Sequence, residues 1–239
     1  MVQFCGSIVI PVLNESKAIR AVLEDVIEKA HQPRKNASGK GWKIIVVDGG
    51  SVDETQRIVA ELPVTLISSA KGRAVQMNAG ALQAQGNTLV FLHADTRLPD
   101  QFHQAMLAFQ RSGKAWGRFD IQLDHEHRLL KMVSWFINKR SRFTSIATGD
   151  QAIFIQAREF KRLGGFPEIP LMEDVAFSKR ARKLGEPYCI KTPVVTSSRR
   201  WLNNGIVKTI LQMWWLRLAF FMGVSPARIH RWYYPNHYE

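Results

Sequence analysis

Cysteine is scarce in this chain of 239 residues, which contains only Cys5 and Cys189. One lies just before the first apolar run and the other inside a late one, which argues against a disulfide-stabilised scaffold. Residues 1–6 also lack a basic segment and a cleavage site, so we predict no signal peptide. The expected location is therefore the cytoplasm.

Acidic residues are also few, because 20 Asp and Glu stand against 33 Lys and Arg for a formal net charge of +13. Most of the excess lies in 179–239, where eleven basic and two acidic residues give a net charge of +9. Such charge favours an anionic partner: nucleic acid, a membrane surface or a phosphorylated ligand. No recognised nucleic-acid motif accompanies the basic residues, so we expect no nucleic-acid partner.

Long uninterrupted apolar runs are missing as well. Residues 206–223 approach the roughly 20 residues of a membrane-spanning helix, but Lys208, Gln212 and Arg217 interrupt them. A central Arg costs about 2.5–3.5 kcal/mol on insertion scales. We therefore expect an amphipathic helix that lies on an anionic membrane, packs in a homodimer, or joins the core of its own chain. The first alternative predicts a peripheral position at the inner face of the cell membrane.

The first half of the chain alternates apolar runs with helical patterns. Runs over 7–12, 43–48, 64–67 and 89–92 predict strands, and the segments between them have helical periodicity or turn signals. Strands that alternate with helices favour a parallel, doubly wound arrangement. The polar segment 32–41, rich in Lys, Gly and Pro, predicts an exposed loop.

The pattern changes after Gly113. The alternation over 116–123 is typical of an antiparallel edge strand, and further strands are predicted over 152–155 and 188–195. Apolar periodicity predicts helices over 129–137 and 172–184. The whole chain is thus expected to be an α/β protein with a mixed sheet flanked by helices.

Polar groups follow several predicted strands directly. Asp48 ends the second strand, and His93-Ala94-Asp95 follows the fourth. Open α/β sheets hold ligands at the carboxyl ends of their parallel strands, and Lys71 and Arg73 follow the third strand. Carboxylates and cations at one edge suit a diphosphate bridged by Mg²⁺ or Mn²⁺. The alternative is a polar strand end with a helix-capping Asp and two solvated cations.

Four stretches together resemble family 2 glycosyltransferases, in which they occur in the same order. They are 7–15 (SIVIPVLNE), 46–55 (VVDGGSVDET), His93-Ala94-Asp95 and Glu173-Asp174. The chain looks like a small bacterial subgroup described only as associated with radical SAM proteins and selenodomains. The resemblance implies a GT-A fold, a Rossmann-like nucleotide-diphospho-sugar transferase domain, over 1–201. A basic, aromatic-rich helical extension follows over 202–239.

The resemblance also implies which residues bind the nucleotide and the metal. His93-Ala94-Asp95 matches an Asp-x-Asp motif, with Asp95 as the ligand of Mn²⁺ or Mg²⁺. His93 replaces the first Asp, and it either joins the metal or touches the ribose; imidazole suits Mn²⁺ better than Mg²⁺. Asp48 is expected to accept a hydrogen bond from the base, expected to be uracil. The implied nucleotide-binding residues are Pro11, Asn14, Glu15, Asp48, Ser51, Lys71, Arg73, His93 and Ala94.

Catalytic and acceptor roles are implied by the later motifs. Glu173-Asp174 matches the family's catalytic pair, with Asp174 as the general base and Glu173 beside it. Asp150 either caps a turn or contacts the acceptor. Arg200 and Trp201 end a degenerate form (SSRRW) of the Gln-x-x-Arg-Trp motif of processive members. The missing Gln argues against processive polymer synthesis.

The function implied is an inverting transfer of sugar from a nucleotide-diphosphate sugar, expected to be a UDP-sugar, to an acceptor hydroxyl. The acceptor is unknown, and a lipid-linked molecule is one candidate. One alternative is a sugar-nucleotide-binding protein without transferase activity. Another is a sugar-1-phosphate nucleotidyltransferase, which normally has a Gly-rich loop where this chain has Val12-Leu13-Asn14-Glu15.

Overall fold

A central eight-stranded mixed sheet organises the computed structural model, which describes residues 6–31 and 41–234. Cys5 and most of the loop predicted over 32–41 lie outside the described residues. The strands are β1 (Gly6–Val12), β2 (Lys43–Asp48), β3 (Thr65–Ser68), β4 (Thr88–Phe91), β5 (Thr96–Arg97), β6 (Trp116–Leu123), β7 (Phe154–Gln156) and β8 (Tyr188–Thr196).

Ten α-helices cover the sheet and extend from it in the described part of the chain. They are α1 (Ile19–Ala30), α2 (Thr55–Ala60), α3 (Arg73–Leu82), α4 (Phe102–Arg111), α5 (Arg128–Thr144), α6 (Ala157–Arg162), α7 (Glu173–Ala181), α8 (Arg199–Asn204), α9 (Ile206–Phe221) and α10 (Pro226–Tyr233). Single 3-10 turns occur at Gly149–Gln151 and Arg182–Leu184. The sequence did not predict α6, α8 or α10.

The parallel half of the sheet has the doubly wound order expected from the sequence. The strand order β3-β2-β1-β4 is parallel throughout. Successive side chains of a strand point to opposite faces, so Ile8 and Ile10 pack in the core that holds α1 and α4, whereas Val9 packs with Met77 of α3. A strand buried on both faces needs apolar residues at every position, which explains its continuous apolar run.

The prediction of an edge strand over 116–123 was wrong. Strand β6 lies between β7 and β8, antiparallel to the first and parallel to the second. Arg118 of this strand is buried, and its guanidinium forms an ion pair with Asp120 and donates to the carbonyl oxygen of Asn138 at 3.2 Å, while its Nε atom is buried without a partner. Alternation therefore reflected an internal ion pair and not a solvent-facing edge.

The short strand β5 was too brief to predict from sequence. It pairs Thr96 with Thr196 and Arg97 with Val195 at the far edge of the sheet. The Thr96 hydroxyl donates to Thr196 Oγ1 at 3.0 Å, and the Ser197 amide donates to the Asp95 carbonyl oxygen at 3.2 Å. The backbone at Asp95 is thereby fixed to the segment that leads into the C-terminal helices.

The C-terminal helices pack on the rest of the chain. Leu216 of α9 and Ile229 of α10 share a buried cluster with Ile146, Met172 and Val175. The helix predicted over 206–223 is present as α9, and part of it thus joins the core. None of the described helices is both long and apolar enough to cross a membrane.

Candidate active site

The loops after β1 and β2 are linked by hydrogen bonds between side chains and backbone. Asn14 has a left-handed backbone (φ 54°), and its amide donates to Ser51 Oγ at 2.9 Å. In return, the Val52 amide donates to Asn14 Oδ1 at 2.9 Å, and the Glu15 amide donates to Thr55 Oγ1 at 2.8 Å. Asn14, Glu15 and Ser51, all predicted nucleotide contacts, therefore form one rim at the carboxyl end of the sheet.

Asp48 is fully buried beneath this rim. Its carboxylate accepts hydrogen bonds from the Gly50 and Ser51 amides at 2.9 and 3.0 Å and from Gln56 Nε2 at 2.7 Å. Burial acts to raise its pKa, but the hydrogen bonds from Ser51, Gly50 and Gln56 outweigh it and hold the pKa below its ordinary value. Asp48 therefore shapes the loop as a carboxylate, and direct contact with a base requires that loop to move.

The remaining predicted nucleotide residues lie at different depths around the rim. Pro11 is half-buried on β1, Ala94 is buried, and Lys71 is exposed. Lys71 is outside the lining of the main cavity. Burial raises the pKa of Glu15, while Arg199, whose Nη2 lies 3.8 Å from Glu15 Oε2, opposes that rise.

A cavity of about 870 Å³ opens next to this rim, bordered by the end of β4, the start of α7, and helices α5 and α9. It brings together all of the predicted catalytic, metal and acceptor residues with two of the predicted nucleotide residues. Its lining includes Arg73, His93, Asp95, Asp150, Glu173, Asp174, Arg200 and Trp201.

Glu173 and Asp174 have different partners at the start of α7. Met172 precedes them with a left-handed backbone (φ 69°). Glu173 is 2% exposed, and its Oε1 accepts from Arg73 Nη1 at 3.1 Å. Asp174 is half-buried, and its Oδ2 accepts from the Gly149 amide at 2.8 Å. Glu173 thus fixes Arg73, while Asp174 is held by backbone at the cavity wall.

The carboxylates and guanidinium groups of this site perturb one another. Burial raises the pKa of Glu173, Arg73 opposes that rise, and Asp174 adds to it. Burial also raises the pKa of Asp95, which Arg200 opposes and the charge of Asp150 reinforces. A cation placed near Asp95 would relieve this unfavourable burial of negative charge.

Asp95 fits a divalent cation that is held mainly by a substrate. Mg²⁺ is commonly bound through one or two carboxylates together with substrate phosphates and water. Asp95 supplies one half-buried carboxylate at the mouth of the cavity. Within the described ranges, no cluster of three or more His, Cys, Asp or Glu residues is arranged for a metal.

The side chain of His93 packs against Gly149. Its Nε2 atom is buried without a hydrogen-bond partner, against the α-carbon of Gly149. Burial lowers the pKa of His93 well below its ordinary value, and Arg73 and Arg200 add to the effect, so the imidazole is neutral. The two roles expected for His93, ligation of the metal and contact with the ribose, both stay predictions.

Gly149 leaves no room for a larger side chain. A Cβ atom at this position would overlap His93 Nε2. We expect Gly149→Ala to lower the free energy of unfolding by about 1–3 kcal/mol, the usual cost of overpacking, and to displace His93. Urea denaturation of Gly149→Ala, His93→Ala and the double variant forms a cycle, in which His93→Ala should recover most of the loss. If the loss of unfolding free energy in the double variant equals the sum of the losses in the two single variants, the predicted overlap is contradicted.

Two cavity residues, Arg140 and Arg217, were not recognised from the sequence. They come from α5 and α9 and line the cavity with Asp150 and Asp174. Burial lowers the pKa of Arg140 to about 10, with Arg217 adding to that shift and the two carboxylates opposing it. Arg217 could have been noticed in the sequence because it interrupts an apolar run. Nothing distinguishes Arg140 in the sequence, because other basic residues flank it.

Comparison with known sequences gives one family match over most of the chain. The profile of glycosyl transferase family 2 matches residues 7–163. A dolichyl-phosphate beta-glucosyltransferase (ALG5D) of Trichomonas vaginalis is 33% identical over 109 residues, which cover 41% of this chain and 33% of the relative. The chain thus matches about a third of that relative's length.

Two solved structures are similar in fold. Residues 1–349 of TarS from S. aureus, in complex with UDP, have a TM-score of 0.64 and 18% identity, covering 82% of this chain and 60% of that one. A mannosyltransferase from Pyrobaculum calidifontis, in complex with GDP-Man and Mn²⁺, has a TM-score of 0.59 and 22% identity, covering 80% and 55%. These similarities confirm the GT-A fold expected from the sequence.

Proposed function

The chain belongs to glycosyl transferase family 2, and from this premise we propose that it is an inverting glycosyltransferase with a UDP-sugar donor. The observation that carries the proposal is the shared cavity of Asp95 and Asp174. One carboxylate is placed for the donor's diphosphate and the other for the acceptor. The UDP complex of the TarS structure supports the choice of a UDP-sugar as donor. The GDP-Man complex of the mannosyltransferase makes a GDP-sugar the alternative donor to test.

In the proposed reaction, Asp174 accepts the proton of the acceptor hydroxyl as that oxygen attacks the anomeric carbon. The new carbon–oxygen bond forms on one face of the sugar while the bond to the diphosphate breaks on the other, which inverts the configuration. Arg73, fixed by Glu173, supplies positive charge toward the leaving diphosphate. A divalent cation held at Asp95 would neutralise further charge on the diphosphate.

The experiment that tests this function compares UDP-, GDP- and dTDP-sugars by thermal shift with Mn²⁺ and then follows release of free sugar. Slow hydrolysis of the donor uses water in place of the unknown acceptor. Hydrolysis of a UDP-sugar supports the proposal. Stabilisation without any hydrolysis or transfer supports the sugar-nucleotide-binding alternative. Formation of a UDP-sugar and pyrophosphate from UTP and a sugar 1-phosphate, tested in a parallel assay, supports a nucleotidyltransferase.

We also propose that the acceptor is presented at a membrane. Helix α9 exposes Trp214, Trp215 and Phe221 to 65%, 60% and 57%, and α5 exposes Trp135 and Phe136 to 53% each. We call these five side chains the aromatic surface. Single exposed apolar residues are ordinary, but clustered aromatics beside basic residues are typical of membrane-surface helices. Lys139 and Lys179 lie 5.6 and 5.9 Å from the ring centroids of Trp135 and Phe221.

We expect the protein to bind phosphatidylglycerol vesicles at low salt and to release them at high salt, because basic residues contribute a screened attraction. Cosedimentation with phosphatidylglycerol and phosphatidylcholine vesicles checks this. Trp215→Ser with Phe221→Ser should weaken binding, whereas Leu82→Ser, an 85% exposed leucine on α3, is the matched control. Absence of vesicle binding at low salt, with a dimer in sedimentation equilibrium, would instead favour a homodimer through 206–223.

A further inference from the structure

Two arginines of the main cavity lack the partners that buried cations usually have. Arg140 and Arg217 make no ion pair within 4.0 Å in residues 6–31 and 41–234. The Nε and Nη2 atoms of Arg140 are buried without any hydrogen-bond partner. Because buried polar groups are nearly always hydrogen-bonded, such orphaned nitrogen atoms call for an explanation.

These arginines come from α5 and α9, whereas the residues assigned to the donor, Arg73 and Asp95, come from α3 and from the segment between β4 and β5. The charges of Asp150 and Asp174 act on the pKa of both arginines, and Asp150 also acts on Asp95. The two arginines therefore belong to the part of the cavity that also holds the proposed base. This part lies between α5 and α9, which also carry the aromatic surface.

Two guanidinium groups near one another repel, and a bound anion would remove that repulsion. Arg140 and Arg217 line the same cavity, and the charge of Arg217 contributes to lowering the pKa of Arg140. Guanidinium groups bind phosphate oxygens through directed, charge-assisted hydrogen bonds. Met132, Phe136, Ile210 and Met213 line the cavity around the pair, so an apolar portion of a ligand also has a place.

We propose that Arg140 and Arg217 bind a phosphate group carried by the acceptor, so that the acceptor is a hydroxyl-bearing phosphate ester. This rests on the proposed function, because it assigns the attacked hydroxyl to Asp174 and leaves the phosphate as a binding group. The same headgroup chemistry occurs in a soluble phosphate ester and in a phospholipid. The exposed aromatic side chains at the opening between α5 and α9 give the lipid source an additional contact.

Binding of two phosphodiester probes with the same headgroup tests the proposal: glycerophosphoglycerol and dihexanoyl phosphatidylglycerol, measured by isothermal titration with UDP and Mn²⁺ present. We expect Arg140→Gln and Arg217→Gln each to raise the dissociation constant of a probe that binds by about 10–100-fold, which corresponds to the loss of a hydrogen bond to a charged group. Lys131→Gln, which removes an exposed charge from the same helix as Arg140 at a position outside the cavity lining, is the control. Arg140→Lys should retain part of the affinity, and thermal unfolding checks that each variant is folded.

The outcomes distinguish this proposal from the proposed function. If only the lipid probe binds, we assign the phosphate group to a lipid acceptor. If both probes bind with the same dissociation constant, the acyl chains contribute nothing, and we assign it to a soluble phosphate ester. The proposal is overturned if neither probe binds the unaltered protein, or if Lys131→Gln weakens binding as much as Arg140→Gln. It is also overturned if the affinity of the arginine variants for UDP falls by the same factor as their affinity for the probe. UDP binding and donor hydrolysis, measured on the same samples, report separately on the transferase.

Discussion

Replacing Asp174 with asparagine is expected to lower the rate of sugar transfer by about 10²–10⁴-fold, the usual weight of a positioned proton acceptor. Asparagine keeps the size of the side chain, and its amide oxygen can still accept one of the two backbone hydrogen bonds that Asp174 receives, from the Gly149 and Val175 amides. It cannot accept the acceptor's proton. Release of sugar from a UDP-sugar, followed with water and then with an acceptor, measures the loss.

The affinity for UDP should change little in this variant, because the base is proposed to act on the acceptor hydroxyl and not on the nucleotide. Glu173→Gln is the adjacent control, although it removes half of the Glu173–Arg73 pair and should therefore lower the melting temperature. Its effect on the chemical step should be the smaller of the two. If Asp174→Asn leaves both hydrolysis and transfer unchanged, Asp174 is only a helix-end carboxylate, and Asp150 becomes the candidate base.

Replacing Asp95 with alanine is expected to abolish the metal-dependent part of nucleotide binding. In the unaltered protein with Mn²⁺, UDP at 100 times its dissociation constant should add about 2.7 kcal/mol to the free energy of unfolding. The same UDP concentration in EDTA should add less, because the affinity for UDP is expected to be lower without the metal. The physical reason is that Asp95 is the one carboxylate proposed to share a cation with the diphosphate. Thermal shifts with UDP, in Mn²⁺ and in EDTA, measure the difference.

Asp100→Ala provides a matched control for Asp95→Ala, because its side chain is 79% exposed and lies outside the cavity. It should retain the difference between Mn²⁺ and EDTA. Equal UDP-induced shifts with and without metal in the unaltered protein would remove the metal assignment, and His93, with its buried Nε2, would not rescue it.

The donor half of the molecule was predictable because its signals are local. A strand buried on both faces requires a continuous apolar run, as over Lys43–Asp48, and the polar residue that follows it lies at the ligand edge. The order of such strands and helices fixes the parallel topology. Asp95 and Asp174 could be placed at one cavity because both belong to short motifs with a family resemblance.

The acceptor half depended on contacts between distant segments. Nothing in the dipeptide Glu173-Asp174 tells which carboxylate meets Arg73, a residue 100 positions earlier. The alternation over Trp116–Leu123 was misleading because Arg118 has an internal partner in Asp120. Arg140 becomes notable only when α9 is folded against α5, since orphaned nitrogen atoms are a property of packing and not of sequence.

The pairing of β5 with β8 bears on how the protein is made on the ribosome. Thr96 and Thr196 are hydrogen-bonded across 100 positions of sequence, next to Asp95. Pairing between such distant segments incurs a loop-closure entropy that nearby segments avoid. The parallel strands can assemble while synthesis continues, but the backbone at Asp95 gains its last support only after residue 196 has emerged. We therefore expect the rim of Asn14, Glu15 and Ser51 to form earlier in synthesis than the cavity, whose lining extends to Tyr234.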